Sequence, residues 1–309
     1  MPPTTANSER QRVAVIGLGS IGGVVAGLLG VASRHDIVAC VRRPVDRLIV
    51  ERAEGMVESP IRALMDPSEA QRQDWVLLCT KAQDTASSAP WLQRLCGRAT
   101  RVAALQNGIG HAERLAPFIG NAAIIPTIVY YNSERLAPDR VRYRPAGEYD
   151  FAVADDADGQ AFAALLEGTP LRVLISGDFK TLAWRKLLVN AVANPVSALT
   201  LRRNAVFRRE DVAALCLALL EEAAAVGRAD GAQLADDEAE QSMARLTAIP
   251  PDAGSSMYFD RLAGRSLEIN ALTGAVVEAA ERHRVPTPML RMLLTLARAA
   301  SDGPALRAN

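Results

Sequence analysis

The stretch RVAVIGLGSIGG, residues 12–23, decides the fold of the first half of the chain. Its apolar run Val13–Ile16 leads into a glycine-rich turn formed by Gly17, Leu18, Gly19, Ser20, Ile21 and Gly22, and the residues that follow have the composition of a buried helix. A strand, a glycine turn and a helix in this order form a dinucleotide-binding corner, where backbone N–H groups at the helix start hold a pyrophosphate. We therefore expect residues 17–22 to bind a dinucleotide.

The residues after the second predicted strand indicate which dinucleotide. This strand, His35–Val41, is followed at once by Arg42 and Arg43. NAD-binding folds usually carry Asp or Glu at this strand end to hold the ribose 2′-hydroxyl, but here Asp36 lies at the opposite end. Two guanidinium groups suit a 2′-phosphate, so the pattern predicts NADPH, with Arg42 as its ligand. A solvated basic turn is the alternative interpretation of the same two residues.

Composition excludes several classes of protein. The 309 residues include 35 Lys plus Arg and 35 Asp plus Glu, so no charge excess favours nucleic acid or a membrane as partner. The N-terminal residues lack an apolar signal-peptide core, and no run is long enough to span a membrane. We expect a cytoplasmic protein whose first ten residues form a loose tail. Buried, reduced thiols are expected for the four scattered cysteines, Cys40, Cys79, Cys96 and Cys216.

A change of pattern near residue 178 divides the chain into two predicted domains. Over residues 11–177, strand-like segments alternate with helices, which predicts an α/β, Rossmann-type dinucleotide-binding domain with a mostly parallel sheet. Over residues 178–309, strand signals stop and an all-helical C-terminal domain is expected, with a substrate cleft between the domains. Its predicted helices are Thr181–Leu199, Asp211–Gly227, Leu234–Leu246, Phe259–His283 and Pro288–Ala300.

Two predicted strand ends carry candidate ligands. Lys81 follows the strand that begins at Trp75, and Asn107 follows the strand that begins at Arg101. Ligands of open α/β sheets bind beyond the carboxyl ends of the strands, so both side chains are placed to contact cofactor or substrate. A simple Asn-Gly turn and a solvated lysine are equally compatible with these residues.

A polar ridge is predicted on the helix around Leu182–Leu199. Lys186, Asn190 and Asn194 recur every four residues beside an apolar face, with Ser197 close by. Asn is a poor helix former and rare on solvated helix faces, which favours a ridge that lines a cleft over a polar outer surface. Pro195 is expected to kink or loosen the helix near Asn194.

With these motifs in order, the chain resembles the ketopantoate reductase family over nearly its whole length. The resemblance is carried by GLGSIGG, TKA, QNGIG, AWRKLLVNAVANP, SSM-x-x-D and E-I-x-x-L-x-G followed by HRVPTP. It implies the two-domain fold predicted above and NADPH-dependent reduction of 2-dehydropantoate to (R)-pantoate, on the route to pantothenate and coenzyme A.

The resemblance also implies roles for individual residues. Lys186 would be the catalytic proton donor, and Glu268 would lie near Lys186 and the cofactor. Lys81 would lie near NADPH, and Asn107 would contact both cofactor and substrate. The other implied substrate contacts are Asn190, Asn194, Asn204 and Ser256.

Three residues depart from the family pattern. Leu267 stands where Thr is frequent, Asn270 where an acidic residue is frequent, and Arg284 where Gly is usual. These departures weaken the assignment of ketopantoate as substrate and leave open a D-2-hydroxyacid dehydrogenase acting on another branched 2-oxo acid. A separate alternative is a non-catalytic NADPH-sensing module, which would have no use for Lys186 and Glu268.

Metal and partner predictions complete the sequence-based picture. His35, His111 and His283 lie far apart without ligand spacing, so no metal is expected. The expected partner is a small-molecule 2-oxo acid, and the helical half could bury a homodimer interface.

Overall fold

The computed structural model describes residues 10–302, which divide into two compact units. The first takes in the chain up to Gln106 together with His111–Gly177, and the second takes in Asn107–Gly110 and the chain from Asp178 onward. Residues 1–9 of the expected loose tail lie outside the described part. Within that part, no helix is both long and apolar enough to cross a membrane.

The first unit contains strands and a few helices. In chain order these are β1 (Arg12–Ile16), α1 (Ser20–Ala32), β2 (Asp36–Cys40), β3 (Arg47–Arg52), β4 (Gly55–Pro60), β5 (Arg62–Leu64), β6 (Trp75–Leu78), α2 (Ala89–Leu95), β7 (Arg101–Ala104), α3 (His111–Ile119), β8 (Ala123–Pro126), β9 (Ile128–Val129), β10 (Asn132–Ala137), β11 (Arg140–Arg144), β12 (Phe151–Ala154), α4 (Ala157–Leu165) and β13 (Val173–Ser176).

A six-stranded parallel sheet forms the centre of this unit, with strand order β5-β2-β1-β6-β7-β8. Its middle strands β1, β6 and β7 are almost wholly buried. A parallel sheet covered on both faces selects such continuous apolar runs, which explains why these strands were predicted from sequence. Because the strands are parallel, the carboxyl ends of β1, β2, β6 and β7 meet at one edge.

A second, four-stranded sheet with order β10-β11-β3-β4 was not predicted. Its strands carry many exposed polar side chains, so the apolar pattern that marks the central strands is absent. Helix α1 packs against this sheet through its glycines. A Cβ atom at Gly23 would lie 2.6 Å from Val141, and one at Gly27 would lie 2.5 Å from Val50, so these positions require glycine. A third sheet has the order β13-β12-β9.

The described residues of the second unit form helices and connecting turns, with no strand. Its helices are α5 (Phe179–Thr200), α6 (Glu210–Ala229), α7 (Glu238–Ala248), α8 (Ser256–Leu262), α9 (Ala275–His283) and α10 (Pro288–Asp302). One hydrophobic core joins them, built around the apolar face of α5 with Trp184, Leu188 and Val192 fully or almost fully buried. The α/β class of the first unit and the helical class of the second confirm the predicted fold.

The predicted continuous helix Phe259–His283 is wrong. Helix α8 ends at Leu262, a non-helical segment follows, and a π turn over Asn270–Gly274 leads into α9. The break has a local cause: Gly264 adopts φ +64°, and the Arg265 N–H then donates to the Asp260 carbonyl, a typical glycine-dependent helix ending. Two shorter helices and a bend therefore replace one long amphipathic helix.

Arg284 occupies a position that favours glycine. It follows α9 with φ +56°, and its N–H donates to carbonyl groups of the last helical turn. The left-handed conformation is strained for a side chain with a Cβ, so we expect Arg284→Gly to stabilise the protein by about 0.5–1 kcal/mol in urea unfolding. Arg282→Gly, inside the same helix, should instead destabilise it by about 1 kcal/mol. Equal losses for both variants would contradict the assignment of strain to Arg284.

Candidate active site

The glycine turn between β1 and α1 has the geometry of an anion site. Gly17 adopts φ +90°, and a Cβ atom on Gly22 would lie only 2.1 Å from the Gly17 carbonyl oxygen. Helix α1 begins after Gly19 with no side-chain cap and no acidic residue in its first turn. Its first N–H groups therefore remain available to a bound phosphate, as the predicted residues 17–22 require.

Arg42 and Arg43 lie at the sheet edge that also carries this turn. Both follow the carboxyl end of β2, which pairs in parallel with β1. Their side chains are exposed and form no hydrogen bond or ion pair within residues 10–302. Asp36, at the other end of β2, pairs with Arg10 instead. The end of β2 that an acidic residue would occupy in an NAD site is thus purely basic.

A glutamine that the sequence analysis did not single out connects two neighbouring strand ends. Gln106 follows β7, and its Nε2 donates to the Thr80 carbonyl and to the Thr85 hydroxyl, both at 3.1 Å. Thr80 and the partly buried Lys81 follow β6 at the same edge of the sheet. Gln106 therefore holds the segment that carries Lys81 against the segment that continues into Asn107.

The polar ridge predicted on α5 is present. Lys186 and Asn190 are partly buried, and Asn194 is 7% exposed, while the opposite face of the helix lies in the core. Neither asparagine side chain forms a hydrogen bond within the described part of the chain. Two amides held on a rigid helix can therefore bind a ligand without first breaking a hydrogen bond inside the protein.

Lys186 and Glu268 interact electrostatically. Burial lowers the pKa of Lys186 to about 8, and the Glu268 carboxylate acts in the opposite direction by favouring the charged form. Glu268 itself is 8% exposed. A lysine whose pKa lies close to neutrality can both hold and release a proton at physiological pH, which suits a general acid.

Asn107 completes this group within the second unit. Its Nδ2 donates to Glu268 Oε2 at 3.4 Å, although the two residues are 161 positions apart in the chain. The turn after Asn107 needs glycine, because Gly108 has φ +93° and a Cβ there would lie 2.1 Å from the Ala271 carbonyl oxygen. The QNG motif and the segment after Glu268 thus approach each other closely.

The departures Leu267 and Asn270 have structural explanations. Leu267 is 5% exposed and packs in the helical core, and its N–H donates to the Ser301 hydroxyl at 3.0 Å. Asn270 is exposed and accepts a hydrogen bond from Arg298 at 2.8 Å. Leu267 and Asn270, which lie before and after Glu268 in the chain, therefore both bond to α10, and this helix holds the Glu268 segment in place.

Of the two adjacent serines at the start of α8, Ser255 is the one that contacts the polar ridge. Its Oγ lies 2.6 Å from Ser197 Oγ and caps α8 by accepting from the Tyr258 N–H. Ser256, the residue that the family resemblance implies, is the first helical residue and is exposed. The sequence offered no signal for Ser255, because two adjacent serines do not show which one caps the helix and which one could bind a ligand.

Asn204 is used by the fold itself. It is 6% exposed, and its Nδ2 donates to the Leu246 carbonyl at 3.0 Å and to the Ile249 carbonyl at 2.9 Å. These bonds hold the end of α7 against the turn between α5 and α6. Both amide protons are engaged, so only Oδ1 of this side chain could face a ligand.

We expect Asn204→Ala to destabilise the protein by about 1–3 kcal/mol, because the two hydrogen bonds that the nearly buried Asn204 amide donates would be lost. The measurement is the free energy of unfolding in urea. Asn190→Ala is the matched control: its side chain forms no such bonds, so its stability should change by less than about 0.5 kcal/mol. A similar, small loss for both variants would show that Asn204 does not have this structural role.

No metal site was predicted from the sequence, and the structure gives the surroundings of the histidines and cysteines. Within residues 10–302, no three His, Cys, Asp or Glu side chains are grouped in a way that could hold a metal. His111 Nε2 lies 3.0 Å from the Gln106 carbonyl, and burial lowers the pKa of this histidine to about 4. His283 pairs with Asp230, and His35 contacts the Leu165 carbonyl. The four cysteines are buried and free.

Comparison with known proteins gives the same family for both halves of the chain. The model described as ketopantoate reductase PanE/ApbA matches residues 13–156, and the model of its C terminal matches residues 178–301. A 2-dehydropantoate 2-reductase of Caulobacter vibrioides is 38% identical over 292 residues, covering 94% of this chain and 99% of that protein. The one from Mycobacterium tuberculosis is 38% identical over 296 residues, with 94% and 98% covered.

Solved structures show the same fold. A 2-dehydropantoate 2-reductase from Geobacter metallireducens superposes with a TM-score of 0.85 at 25% identity, covering 94% of this chain and 99% of that one. A PanE/ApbA family ketopantoate reductase from Ralstonia eutropha gives 0.84 at 29% identity, covering 94% and 98%. These matches confirm the resemblance that the motifs indicated, and the chain belongs to the ketopantoate reductase family.

Proposed function

We propose that this protein reduces 2-dehydropantoate to (R)-pantoate with NADPH. The observation that carries the proposal is the grouping of Lys186, Glu268 and Asn107 beside Asn190 and Asn194, whose side chains form no hydrogen bond within residues 10–302. A nicotinamide cofactor is implied by the family. The choice of NADPH over NADH rests on Arg42 and Arg43, whose charges complement a 2′-phosphate.

The residues of the first unit fit such a cofactor. The close approach of Gly22 to the Gly17 carbonyl keeps the turn tight, and the uncapped start of α1 leaves its first N–H groups open to a pyrophosphate. We assign the pyrophosphate to residues 17–22, the 2′-phosphate to Arg42, and further cofactor contacts to Lys81 and Asn107. When bound, the cofactor supplies the hydride.

Lys186 supplies the proton that the reduction needs. Its ammonium group donates a hydrogen bond to the ketone oxygen and transfers its proton as that oxygen gains negative charge. The amine that remains takes a proton from solvent to restore the charged form. Glu268 favours the charged form before the transfer, and Asn107 orients the Glu268 carboxylate.

The polar ridge orients the substrate. Asn190 and Asn194 can each donate to a carboxylate or hydroxyl oxygen and accept from a hydroxyl group. Ser256 and the Oδ1 atom of Asn204 are the further contacts that we propose. A substrate with both a carboxylate and a hydroxyl group, such as 2-dehydropantoate, can use donors and acceptors together.

The test is the loss of NADPH absorbance with 2-dehydropantoate, beside pyruvate, 2-oxoisovalerate and a control without substrate. Fast turnover that is selective for 2-dehydropantoate is the expected result. Faster turnover of another oxo acid would be compatible with the role of Lys186 but would contradict 2-dehydropantoate as the substrate. Tight NADPH binding without turnover of any of them would instead favour a sensing module.

We also propose that the protein is a cytoplasmic homodimer. Helix α10 exposes Met292 and Leu296, 64% and 54% accessible and one turn apart, which suits a contact between copies. A dimeric ketopantoate reductase from Staphylococcus aureus shares the fold with a TM-score of 0.83 at 22% identity. Light scattering on the purified protein measures the mass, and a monomer at micromolar concentration would contradict the proposal.

A further inference from the structure

Helix α5 contains a backbone carbonyl that the helix itself cannot satisfy. The helix continues through Pro195 to Thr200, so the loosening expected there does not end it. Proline has no N–H, and the carbonyl four residues earlier, that of Ala191, therefore lacks its normal helical donor. Ala191 is fully buried, so solvent cannot replace that donor.

Thr273 supplies the missing hydrogen bond. Its Oγ1 donates to the Ala191 carbonyl oxygen at 2.6 Å, and Thr273 is itself fully buried. The residue belongs to the π turn Asn270–Gly274, in which the Gly274 N–H donates to the Ile269 carbonyl at 2.9 Å. Turns of this type are frequent at functional sites.

This bond joins the two segments that carry the proposed active site. Ala191 lies on the buried face of α5, between Asn190 and Asn194 in the chain, while Thr273 lies five residues after Glu268. Helix α10 also holds the Glu268 segment, since Ser301 accepts from the Leu267 N–H and Arg298 donates to the Asn270 side chain. The Thr273 hydrogen bond thus ties the Glu268 segment directly to α5.

We propose that Thr273 is a positioning residue, which fixes the Glu268 segment relative to the Lys186–Asn194 ridge by hydrogen bonding to the carbonyl that Pro195 leaves unpaired. This inference rests on the proposed function for its kinetic consequence. The bond itself, and its effect on the Lys186 environment, do not depend on the identity of the substrate.

The first experiment compares Thr273→Val, which keeps the shape and removes the hydroxyl, with Thr273→Ser, which keeps the hydroxyl. We expect Thr273→Val to lower kcat for 2-dehydropantoate by roughly 10- to 100-fold, because small displacements of catalytic groups have effects of this size. Thr273→Ser should remain within about threefold of wild type. Equal activity of the two variants would overturn the proposal.

A second comparison tests whether Thr273 positions the Glu268 segment or only provides a hydrogen-bond donor for the buried Ala191 carbonyl. In the double variant Pro195→Ala with Thr273→Val, the new N–H at position 195 can bond to the Ala191 carbonyl inside the helix. We expect the thermal stability lost in Thr273→Val to be largely recovered while kcat stays low. Recovery of both stability and kcat would show that Thr273 serves only the carbonyl, which would overturn the proposal.

A readout without substrate distinguishes failure of this inference from failure of the proposed function. The chain has three lysines, Lys81, Lys180 and Lys186, so ¹⁵N-lysine NMR gives a spectrum in which Lys186 is assigned by its loss in Lys186→Ala. With Glu268 less firmly held, the pKa of Lys186 should fall in Thr273→Val and stay unchanged in Thr273→Ser. A Lys186 pKa that stays constant or rises in Thr273→Val would overturn the positioning role, whatever the substrate is.

Discussion

Replacing Lys186 with alanine is expected to lower kcat for the reduction of 2-dehydropantoate by roughly 100- to 10,000-fold, the range typical of a lost general acid. The proton donor disappears, while the glycine turn and Arg42 that are assigned to NADPH lie in the other structural unit. NADPH affinity, measured by the fluorescence of the bound cofactor, should therefore change little.

Lys180→Ala is the matched control for this prediction. Lys180 lies on the same helix, donates to the Asp230 carbonyl and pairs with the Asp230 carboxylate at 3.2 Å. Its loss should leave kcat within about twofold of wild type, because the group lies outside the proposed site. Near-normal turnover of Lys186→Ala would discard Lys186 as the acid, and equal loss in both variants would indicate a general effect on the helix.

The same role predicts a pH dependence. Lys186 must be protonated to act as an acid, and burial lowers its pKa to about 8. The rate of reduction should be constant below that pH and fall about tenfold per pH unit above it, with the reverse trend for pantoate oxidation. Glu268→Gln removes the charge that raises the pKa of Lys186, so the fall should begin at lower pH.

Arg42→Ala is expected to weaken NADPH binding by roughly 10-fold or more and to leave NADH binding almost unchanged. The reason is that only NADPH carries the 2′-phosphate, and a hydrogen bond between a guanidinium and a phosphate is charge-assisted and therefore strong. Dissociation constants for both cofactors, measured by fluorescence titration at fixed ionic strength, provide the comparison.

Two variants make this second prediction specific. Arg43→Ala tests whether the neighbouring arginine also contacts the 2′-phosphate. If it does, the double variant should lose more NADPH affinity than either single variant. Arg98→Ala removes an exposed arginine just before β7, at the opposite edge of the parallel sheet, and should affect neither cofactor. Equal weakening of NADPH and NADH by Arg42→Ala would contradict contact with the 2′-phosphate.

The parts of this protein that the sequence predicted are those controlled by near neighbours in the chain. The buried strands β1, β6 and β7 show continuous apolar runs, and the corner at Gly17–Gly22 follows from the rule that only glycine permits such a turn. The ridge of Lys186, Asn190 and Asn194 follows from the helical repeat. The family motifs added the roles, because they match residue by residue.

The predictions that failed depended on the pairing of distant strands or on the backbone conformation of a single residue. The sheet formed by β3, β4, β10 and β11 has exposed polar faces, so its strands carry no clear hydrophobic pattern. The helix expected over residues 259–283 breaks because Gly264 adopts a left-handed conformation, which helical periodicity alone does not reveal. For Asn204, the structure adds a role that the sequence did not indicate, since two carbonyl groups more than 40 residues away use both of its amide protons.

By itself, the sequence determined the fold class, the glycine turn after β1 and the faces of individual helices, since strand burial, glycine conformation and helical period are properties of contiguous residues. Only the tertiary structure decided that Asn107 bonds to Glu268, that Ser255 rather than Ser256 meets Ser197, and that Thr273 bonds to Ala191. These contacts join residues that are 58 to 161 positions apart. Packing of the helical core brings such residues together, and no local pattern specifies which of them will meet.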